Sequence, residues 1–246
     1  AGSWSKLSKA DRRNLERNLK RLKIRLFALS SVFLAEIGDY RGFVKLQYKY
    51  SSFLVTGRSE QDKLKARRRF HPLAYPGPVF RAAEEFNLHP ALILALIRTE
   101  SYYNPDIISV ANARGLMQIL PTTGQKIAAR LNRPPPHPEA LFDPETNIYF
   151  GCWYLAGLIR EFDGQLPLAV ASYNAGPFNV KRWVSQINGK VSLEEFIETI
   201  PFDQTRKYVK KVLGAFYMYR FLFCGKAPGL DLTSPVSKVF LNRIDF

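Results

Sequence analysis

The stretch ALILALIRTESYYNPDIISVANARGLMQ, residues 91–118, joins an apolar helix to a polar, turn-rich segment. In its first part Ile93, Leu96 and Ile97 recur at helical spacing and form one apolar stripe. Glu100 lies three residues after Ile97 and four after Leu96, which puts its carboxyl group on the same stripe. A carboxyl group held against apolar surface has a raised pKa and can carry a proton at neutral pH. The spacing therefore makes Glu100 a candidate acid catalyst, with a solvated helix-end residue as the alternative.

The rest of the chain is predicted to be mainly α-helical, because apolar residues recur at helical spacing and period-two alternation is nearly absent. The helix that follows Glu100 is expected to begin at Gly115, and the proline-rich run at residues 132–138 is expected to form a loop. Helices are predicted at residues 8–36, 40–54, 59–70, 78–86, 90–101, 115–130, 143–162, 165–174, 177–187, 192–199 and 203–223.

The net charge of +15 is concentrated at one end of the 246-residue chain. Residues 1–75 contain 18 Lys/Arg and 6 Asp/Glu, whereas the remaining residues contain 18 and 15. Prolines and a glycine at residues 71–78 break the helical pattern, so we place a domain boundary there. The sequence therefore predicts a small basic helical domain at residues 1–75, a larger helical domain at 76–224 and a C-terminal tail at 225–246 that packs on the surface.

The charge of the basic domain leaves the class of its partner open. Nucleic acid, a membrane surface and an acidic cell-wall polymer all fit its charge. No run approaches the eighteen or so apolar residues of a membrane span. Cys152 and Cys224 are far apart in apolar surroundings, which favours two buried thiols over a disulfide. Three scattered histidines lack ligand spacing, so no metal or other cofactor is expected.

Three polar segments downstream of Glu100 are set between apolar helices. Taken singly, each is explained by a tight turn, a helix cap or packing. Together with Glu100-Ser101 and the DPETNI run at 143–148, in this order, they resemble the soluble-type lytic transglycosylases, which have a goose-lysozyme-like catalytic domain. The resemblance covers about residues 76–222, and the basic helices before Pro72 loosely resemble the linker domain of the large soluble members. The three segments are GLMQILP at 115–121, AVASYNAGP at 169–177 and ETIPFDQTRKYV at 198–209.

The resemblance implies a mainly α, lysozyme-like catalytic domain and an enzyme that cleaves peptidoglycan. Protonated Glu100 would donate to the glycosidic oxygen between N-acetylmuramic acid and N-acetylglucosamine. The resulting carboxylate would take the proton of the sugar's own C6 hydroxyl, which closes on C1 to give a 1,6-anhydro product without water. The residues also favour a single acid, since Asp106 lies in a loop and Asp143 and Glu145 belong to a helix start, where an N-cap role is expected.

The resemblance also implies roles for residues in the other motifs. Tyr173 would act in catalysis by orienting Glu100 or the substrate's acetamido group, and Asn174 would shape that turn. Met117 and Gln118 would line the groove, with Gln118 holding a sugar. Arg206 would meet an anionic group or form a structural ion pair. The substrate-binding residues implied are Ser109, which would contact the glycan or its peptide, Met117, Gln118 and Asn174, with Gln204 and Tyr208 on the opposite wall.

Three positions depart from the pattern of the family. Asn112 stands where many members have glycine, but Asn tolerates a left-handed backbone, so the turn is expected to survive. Ser172 replaces the usual Ala, which is a small change. Gln204 stands where the family often has a Glu that faces the sugar. It keeps the hydrogen-bonding shape and drops the charge, which leaves the substrate detail of that subsite open.

Other interpretations stay open at this level. A goose-type lysozyme would use the same scaffold and acid, with water as the acceptor. A basic nucleic-acid- or membrane-binding protein would fit residues 1–75, but no known nucleic-acid motif is present, so no nucleic acid is expected. A wall-binding protein that has lost catalysis is disfavoured by Glu100. We expect peptidoglycan strands as the main partner, an anionic envelope polymer as the partner of the basic helices, and a periplasmic or cell-envelope location with the signal peptide removed.

Overall fold

The computed structural model describes residues 8–49, 59–225 and 229–240. The chain divides into two units between Pro72 and Leu73, inside the proline-rich break from which the sequence places the domain boundary. No helix in the described ranges has both the length and the hydropathy to cross a bilayer. The first unit contains α1 (Lys9–Glu36), α2 (Tyr40–Lys49) and α3 (Glu60–Arg69). The second contains α4 (Pro76–Phe86), α5 (Pro90–Glu100), α6 (Pro121–Arg130), a 3₁₀ helix (Pro138–Phe142), α7 (Pro144–Glu161), α8 (Leu166–Ala175), α9 (Pro177–Ser185), α10 (Leu193–Thr199) and α11 (Asp203–Cys224).

Local sequence explains where several helices of the second unit begin and end. Asp143 accepts a hydrogen bond from the Thr146 amide at 2.8 Å, which is the N-cap role expected from the sequence. Ser192 and Glu195 form a reciprocal capping box at the start of α10. α11 ends before Gly225, whose φ of 68° is readily available only to a residue without a side chain.

α5 is the most buried helix of the second unit. Every residue from Ala91 to Ile97 is buried, so the predicted apolar stripe widens to all sides of the helix. Burying large side chains such as Ile93 and Leu96 contributes about 1.5–3 kcal/mol each. α5 packs against α4 and α11, and α8 also packs against α11. α11 therefore contacts both of the helices that carry Glu100 and Tyr173.

In the first unit, α1 packs against α2. Phe27 and Ser31 of α1 are buried, as are Val44 and Gln47 of α2. The Gln47 amide donates to the Ser31 hydroxyl at 2.9 Å, so this small interface includes a polar contact. The second predicted helix was expected to reach residue 54, and its last residues lie outside the described ranges.

The prediction of a helix at residues 115–130 is wrong for its first six residues, because α6 begins only at Pro121. Gly115 has a φ of 74°, a left-handed conformation that interrupts a right-handed helix. On either side of the glycine, Arg114 and Ile119 pair as an antiparallel bridge. The segment is therefore a tight turn, and a glycine that looked like a helix start supplies its reversal.

The two cysteines are both free, but only one of them is buried. Cys152 lies inside the unit on α7, where burial raises the pKa of its thiol. Cys224 is exposed, so the expectation of two buried thiols is wrong for this residue. It is the last residue of α11, where the chain leaves the helical core.

Residues 229–240 run along the second unit and bond to it through backbone and side chains. Ser192 and Pro235 form an antiparallel bridge. The Gln165 amide donates to the Pro235 carbonyl oxygen at 2.8 Å and accepts from the Ser237 amide at 2.8 Å. The described part of the predicted tail is thus held by the turn before α8 and the turn before α10.

Candidate active site

A cavity of about 460 Å³ lies beside Glu100, the last residue of α5. Two residues predicted to bind substrate, Met117 and Tyr208, are not among those that line it. Among the described residues that line this cavity, Glu100 is the only carboxylate. The structure brings together six of the residues singled out from the sequence, namely Glu100, Ser109, Gln118, Tyr173, Asn174 and Gln204.

Glu100 is half-buried, and its environment favours the protonated form. Burial raises the pKa of its carboxyl group to about 7, and a hydrogen bond from Tyr208 opposes part of that effect. The Tyr208 hydroxyl donates to Glu100 Oε1 at 2.5 Å. A carboxyl group with this pKa is present in both protonation states near neutral pH, as a group that serves as acid and then as base requires.

Tyr208 is buried on α11 and is not among the residues that line the cavity, where the sequence predicted it on the opposite wall. Burial raises the pKa of its hydroxyl well above the ordinary value, so Tyr208 stays neutral and acts as a donor. The contact that the structure shows for Tyr208 is with the acid itself. The two residues are 108 positions apart in sequence, and the packing of α5 against α11 brings them together.

Tyr173 lies at the C-terminal end of α8 and lines the same cavity. Its hydroxyl donates to the Met117 carbonyl oxygen at 2.9 Å, and its ring contacts Tyr154 at a centroid separation of 5.5 Å. Burial, followed by the charge of nearby Glu100, raises the pKa of the hydroxyl well above its ordinary value. The structure thus ties Tyr173 to the turn at residues 115–120 through a hydrogen bond that was not anticipated.

Met117 does not line the cavity, which corrects its prediction as a groove residue. Its side chain is fully buried, and Gly151 of α7 packs so closely on it that an added Cβ would lie 2.5 Å from the Met117 sulfur. The resemblance to the family assigned this side chain to the groove together with Gln118. Successive residues of a tight turn point in different directions, however, and of these two residues only Gln118 lines the cavity.

Gln118 holds its own turn while it lines the cavity. Its amide nitrogen donates to the carbonyl oxygens of Ile107 and Gly115, at 3.2 and 2.9 Å. Its backbone has a φ of 49°, a left-handed conformation that costs free energy for a residue with a side chain. Two side-chain hydrogen bonds keep this conformation in place, so Gln118 presents a fixed polar surface to whatever occupies the cavity.

Asn147 is a central residue of the site that the sequence did not single out as such. It is fully buried on α7, and its amide oxygen accepts from the Met117 amide at 2.7 Å. Its amide nitrogen donates to the carbonyl oxygens of Arg114 and Leu141, at 2.8 and 2.7 Å. The Asn147 side chain thus satisfies backbone groups of the turn that would be paired within the backbone if this segment were a helix. Its position in the DPETNI run was the available signal.

On another side of the cavity, Asn174 accepts a hydrogen bond from the Thr205 hydroxyl at 2.8 Å, which links α8 to α11. Gln204, next to Thr205, is exposed and lines the cavity. Arg206 donates to the Ile200 carbonyl oxygen at 3.0 Å and pairs with Asp203 at 2.7 Å. For Arg206 the structure therefore supports the structural ion pair over an anionic-group contact.

Two of the other acids singled out from the sequence make structural contacts. Asp143 caps α7, and Glu145 pairs with Arg81 of α4. The Asp106 amide donates to the Asn104 side chain at 3.4 Å within the loop after α5. In the parts of the chain that the structure describes, no three His, Cys, Asp or Glu residues come together as a metal site.

A second cavity of about 310 Å³ adjoins the first and shares Gln118, Leu120, Tyr173 and Asn174 with it. It extends the groove toward Tyr154, because that residue lines only the second cavity. Two adjoining cavities that share a wall fit an extended ligand better than a compact one.

Replacing Tyr208 with Phe should move the alkaline limb of the activity profile to higher pH. The hydrogen bond from Tyr208 lowers the pKa of Glu100, so its loss raises that pKa further. Activity that needs protonated Glu100 is then kept to higher pH, while turnover falls by about tenfold because the carboxylate loses its donor. The measurement is kcat against pH for the wild type and the variant.

Tyr219→Phe is the matched control for this prediction. Tyr219 also lies on α11, and its hydroxyl forms a buried hydrogen bond with the Tyr103 hydroxyl at 2.5 Å. The variant therefore loses a similar contact away from Glu100, and its alkaline limb should coincide with that of the wild type. Equal displacement of the limb in both variants would show that the Tyr208 contact has no special effect on Glu100.

Glu100→Gln should stabilise the protein at alkaline pH. The pKa of Glu100 is 4.5 in the unfolded chain and about 7 in the folded protein. Between these values the folded state binds more protons, so the stability of the wild type falls as pH rises. Below pH 4.5 this cost is absent, and above pH 7 it reaches on the order of 3 kcal/mol.

Urea unfolding at pH 4 and pH 8 measures the effect. The free energies of unfolding of variant and wild type should differ little at pH 4, and the variant should be more stable at pH 8. Glu84→Gln, an exposed change on α4, should show no such difference. A Glu100→Gln variant that is no more stable than the wild type at pH 8 would argue against a raised pKa.

Comparison with known proteins gives a consistent result. Residues 77–195 match the family described as Transglycosylase SLT domain. The soluble lytic murein transglycosylase of Escherichia coli K12 is 38% identical over 160 residues, which is 65% of this chain and 25% of the relative. The membrane-bound lytic murein transglycosylase C of Serratia proteamaculans is 31% identical over 212 residues, which is 76% of this chain and 58% of the relative.

Solved structures match the same fold. The crystal structure of the 70-kDa soluble lytic transglycosylase of Escherichia coli superposes with a TM-score of 0.69 at 31% identity. It covers 82% of this chain, and the matched part is 31% of that protein. The lytic transglycosylase Slt of Pseudomonas aeruginosa, an inactive mutant, gives a TM-score of 0.67 at 29% identity over 82% of this chain and 31% of its own. This chain thus spans about a quarter of the soluble relative and about a third of these structures. The predicted mainly α, lysozyme-like fold is confirmed.

Proposed function

We propose that this chain, whose residues 77–195 match the family described as Transglycosylase SLT domain, is a peptidoglycan lytic transglycosylase. It cleaves the β-1,4 bond between N-acetylmuramic acid and N-acetylglucosamine without water and leaves 1,6-anhydro-N-acetylmuramic acid ends. The observation that supports this most is Glu100, a carboxyl group with a pKa of about 7 and the only carboxylate among the described residues that line the cavity.

In the first step Glu100 acts as the acid. Its proton passes to the glycosidic oxygen, the bond from C1 to that oxygen breaks, and the N-acetylglucosamine side leaves with a hydroxyl group. Positive charge develops at C1, where the substrate's own N-acetyl carbonyl oxygen stabilises it. The half-buried position of Glu100 supports this role, because a carboxyl group that is still protonated near pH 7 is ready to donate.

In the second step the Glu100 carboxylate acts as the base. It removes the proton of the C6 hydroxyl, and that oxygen forms the new bond to C1, so the catalyst returns to its protonated state. Tyr208 donates to the carboxylate throughout and stabilises it while it is charged. The substrate supplies the nucleophile, and the bond balance includes no water.

The carboxylate count favours this reaction over the goose-type lysozyme alternative. Most hydrolytic glycosidases use two carboxyl groups, one of which activates water or attacks C1. Asp106, Asp143 and Glu145 do not line the cavity described beside Glu100. A single acid suits a substrate that reacts with its own hydroxyl group.

Substrate contacts are proposed for the polar residues that line the groove. Ser109, Gln118, Asn174 and Gln204 face the cavity and offer hydroxyl and amide groups to a glycan strand. Tyr173 acts by holding the turn at Gly115–Leu120 against the acid, since its hydroxyl is bound to that turn. We assign Met117 to the core of the same turn.

The test of the proposed function is the mass of the muropeptides released from purified sacculi. Anhydro ends lack the elements of one water relative to reducing ends, so mass spectrometry separates the two reactions directly. The proposal predicts anhydro ends as the main product. Reducing ends as the main product would instead support the lysozyme-type hydrolase.

We also propose that the basic unit contacts an anionic polymer of the cell envelope, and that the protein acts at the cell wall. Arg13, Arg17, Lys20 and Lys23 of α1 are exposed and give this unit a positive surface. Attraction to an anionic polymer is screened by salt. Co-sedimentation of the protein with sacculi should therefore weaken as salt is raised, and substitution of these four residues by Ala should reduce the dependence on salt.

A further inference from the structure

Residues 108–114 form a hairpin turn beside the cavity that contains Glu100. Ile108 and Arg114 pair as an antiparallel bridge at its base. The Ser109 amide donates to the Ala113 carbonyl oxygen at 2.9 Å, and the Ala113 amide returns a bond to the Ser109 hydroxyl at 3.0 Å. The Asn112 amide donates to the Ser109 carbonyl oxygen at 2.9 Å. These bonds hold the turn together within its own residues.

Asn112 adopts the left-handed conformation that the turn needs, with a φ of 64°. The substitution of Asn at this position is therefore accommodated, as its tolerance of that conformation predicts. Val110 and Ala111 lie between Ser109 and Asn112 at the tip of the turn, and both line the cavity that contains Glu100.

Val110 is fully exposed, at 110% of its reference surface, although it is a β-branched apolar residue. It lines the catalytic cavity together with Leu120, which is 38% exposed. A side chain that remains in water contributes almost nothing to the free energy of unfolding. Because Val110 lines the cavity that contains the acid, its methyl groups are placed to be buried against a ligand in that cavity.

We propose that Val110 is a specificity-determining residue whose methyl groups pack against the first residues of the stem peptide on the muramic acid being cleaved. This inference rests on the proposed function. The rims of the sugar rings are lined with hydroxyl groups, whereas the first residue of the stem peptide, an alanine, carries a methyl group. The polar residues that line the cavity, Ser109, Gln118 and Gln204, suit the sugars, and the apolar tip suits the stem.

The test compares two substrates and two variants. The substrates are glycan strands with intact stem peptides and the same strands after an amidase has removed the stems. Val110→Thr keeps the shape of the side chain and replaces one methyl group with a hydroxyl group. Val239→Thr makes the same change at a residue of the C-terminal tail that is 60% exposed.

On strands with stems, Val110→Thr should lower kcat/KM by about fivefold, the effect of losing one buried methyl group. On strands without stems it should match the wild type, and Val239→Thr should match the wild type on both. Equal loss on both substrates, or no loss on either, would overturn the assignment of Val110 while the wild type remained active. A wild type inactive on both substrates would refute the proposed function itself, and this inference with it.

Discussion

Glu100→Gln lowers turnover on sacculi by about 10³- to 10⁴-fold, the upper part of the range for loss of a general acid–base group. We expect a large effect because, in the proposed reaction, one carboxyl group serves in both steps, first as the donor to the glycosidic oxygen and then as the acceptor from the C6 hydroxyl. Gln keeps the shape of the side chain and still offers an oxygen to the Tyr208 hydroxyl, which lies 2.5 Å from Glu100 Oε1.

Turnover is measured as the rate of release of soluble muropeptides, and binding as co-sedimentation with intact sacculi. Binding should persist, because the polar residues that line the groove are unchanged. Glu84→Gln on the exposed surface of α4 is the control and should retain full activity. Substantial residual turnover in Glu100→Gln would mean that another group supplies the proton.

Gly115→Ala destabilises the protein by about 3–5 kcal/mol, the largest stability effect expected in the second unit. Two costs combine there. A non-glycine residue at a φ of 74° loses roughly 1–2 kcal/mol. An added Cβ would also overlap the Leu141 carbonyl oxygen and the Asn147 amide group. Both are held in place by their mutual hydrogen bond, at 2.7 Å, so the overlap is relieved only by breaking the network around Asn147.

Gly164→Ala separates the two costs. Gly164 has a φ of 76°, almost the same as Gly115, but an added Cβ there would meet nothing within 4 Å. This variant should lose only about 1–2 kcal/mol. Thermal unfolding of both variants measures the difference, with about 2–4 °C of melting temperature for each kcal/mol at this chain length. Equal melting temperatures would show that the close contact at Gly115 has no energetic effect.

The helical pattern and the acid could be predicted from sequence because both depend on short-range spacing. Ile93, Leu96 and Ile97 define the buried side of α5 within one short segment, and Glu100 continues it. Burial along that stripe is the physical cause of the raised pKa, which the spacing predicted. The left-handed conformation of Asn112 was likewise predictable from the residue type.

The contacts that complete the site could not be predicted in the same way. Tyr208 reaches Glu100 only because α11 packs against α5, and a separation of 108 residues leaves no local pattern. Asn147 replaces the helical partners of the turn near Gly115, so a segment with a helix-like sequence folds as a turn. That fold also buries Met117, which the motif alone placed in the groove.

The central claim is that Glu100 catalyses a reaction in which the substrate's own C6 hydroxyl replaces water. Digestion of purified sacculi in oxygen-18-labelled water tests it most directly. We expect 1,6-anhydro ends that contain no labelled oxygen, because no water enters the product. Reducing ends that carry a labelled oxygen at C1 would contradict it and show that water is the acceptor.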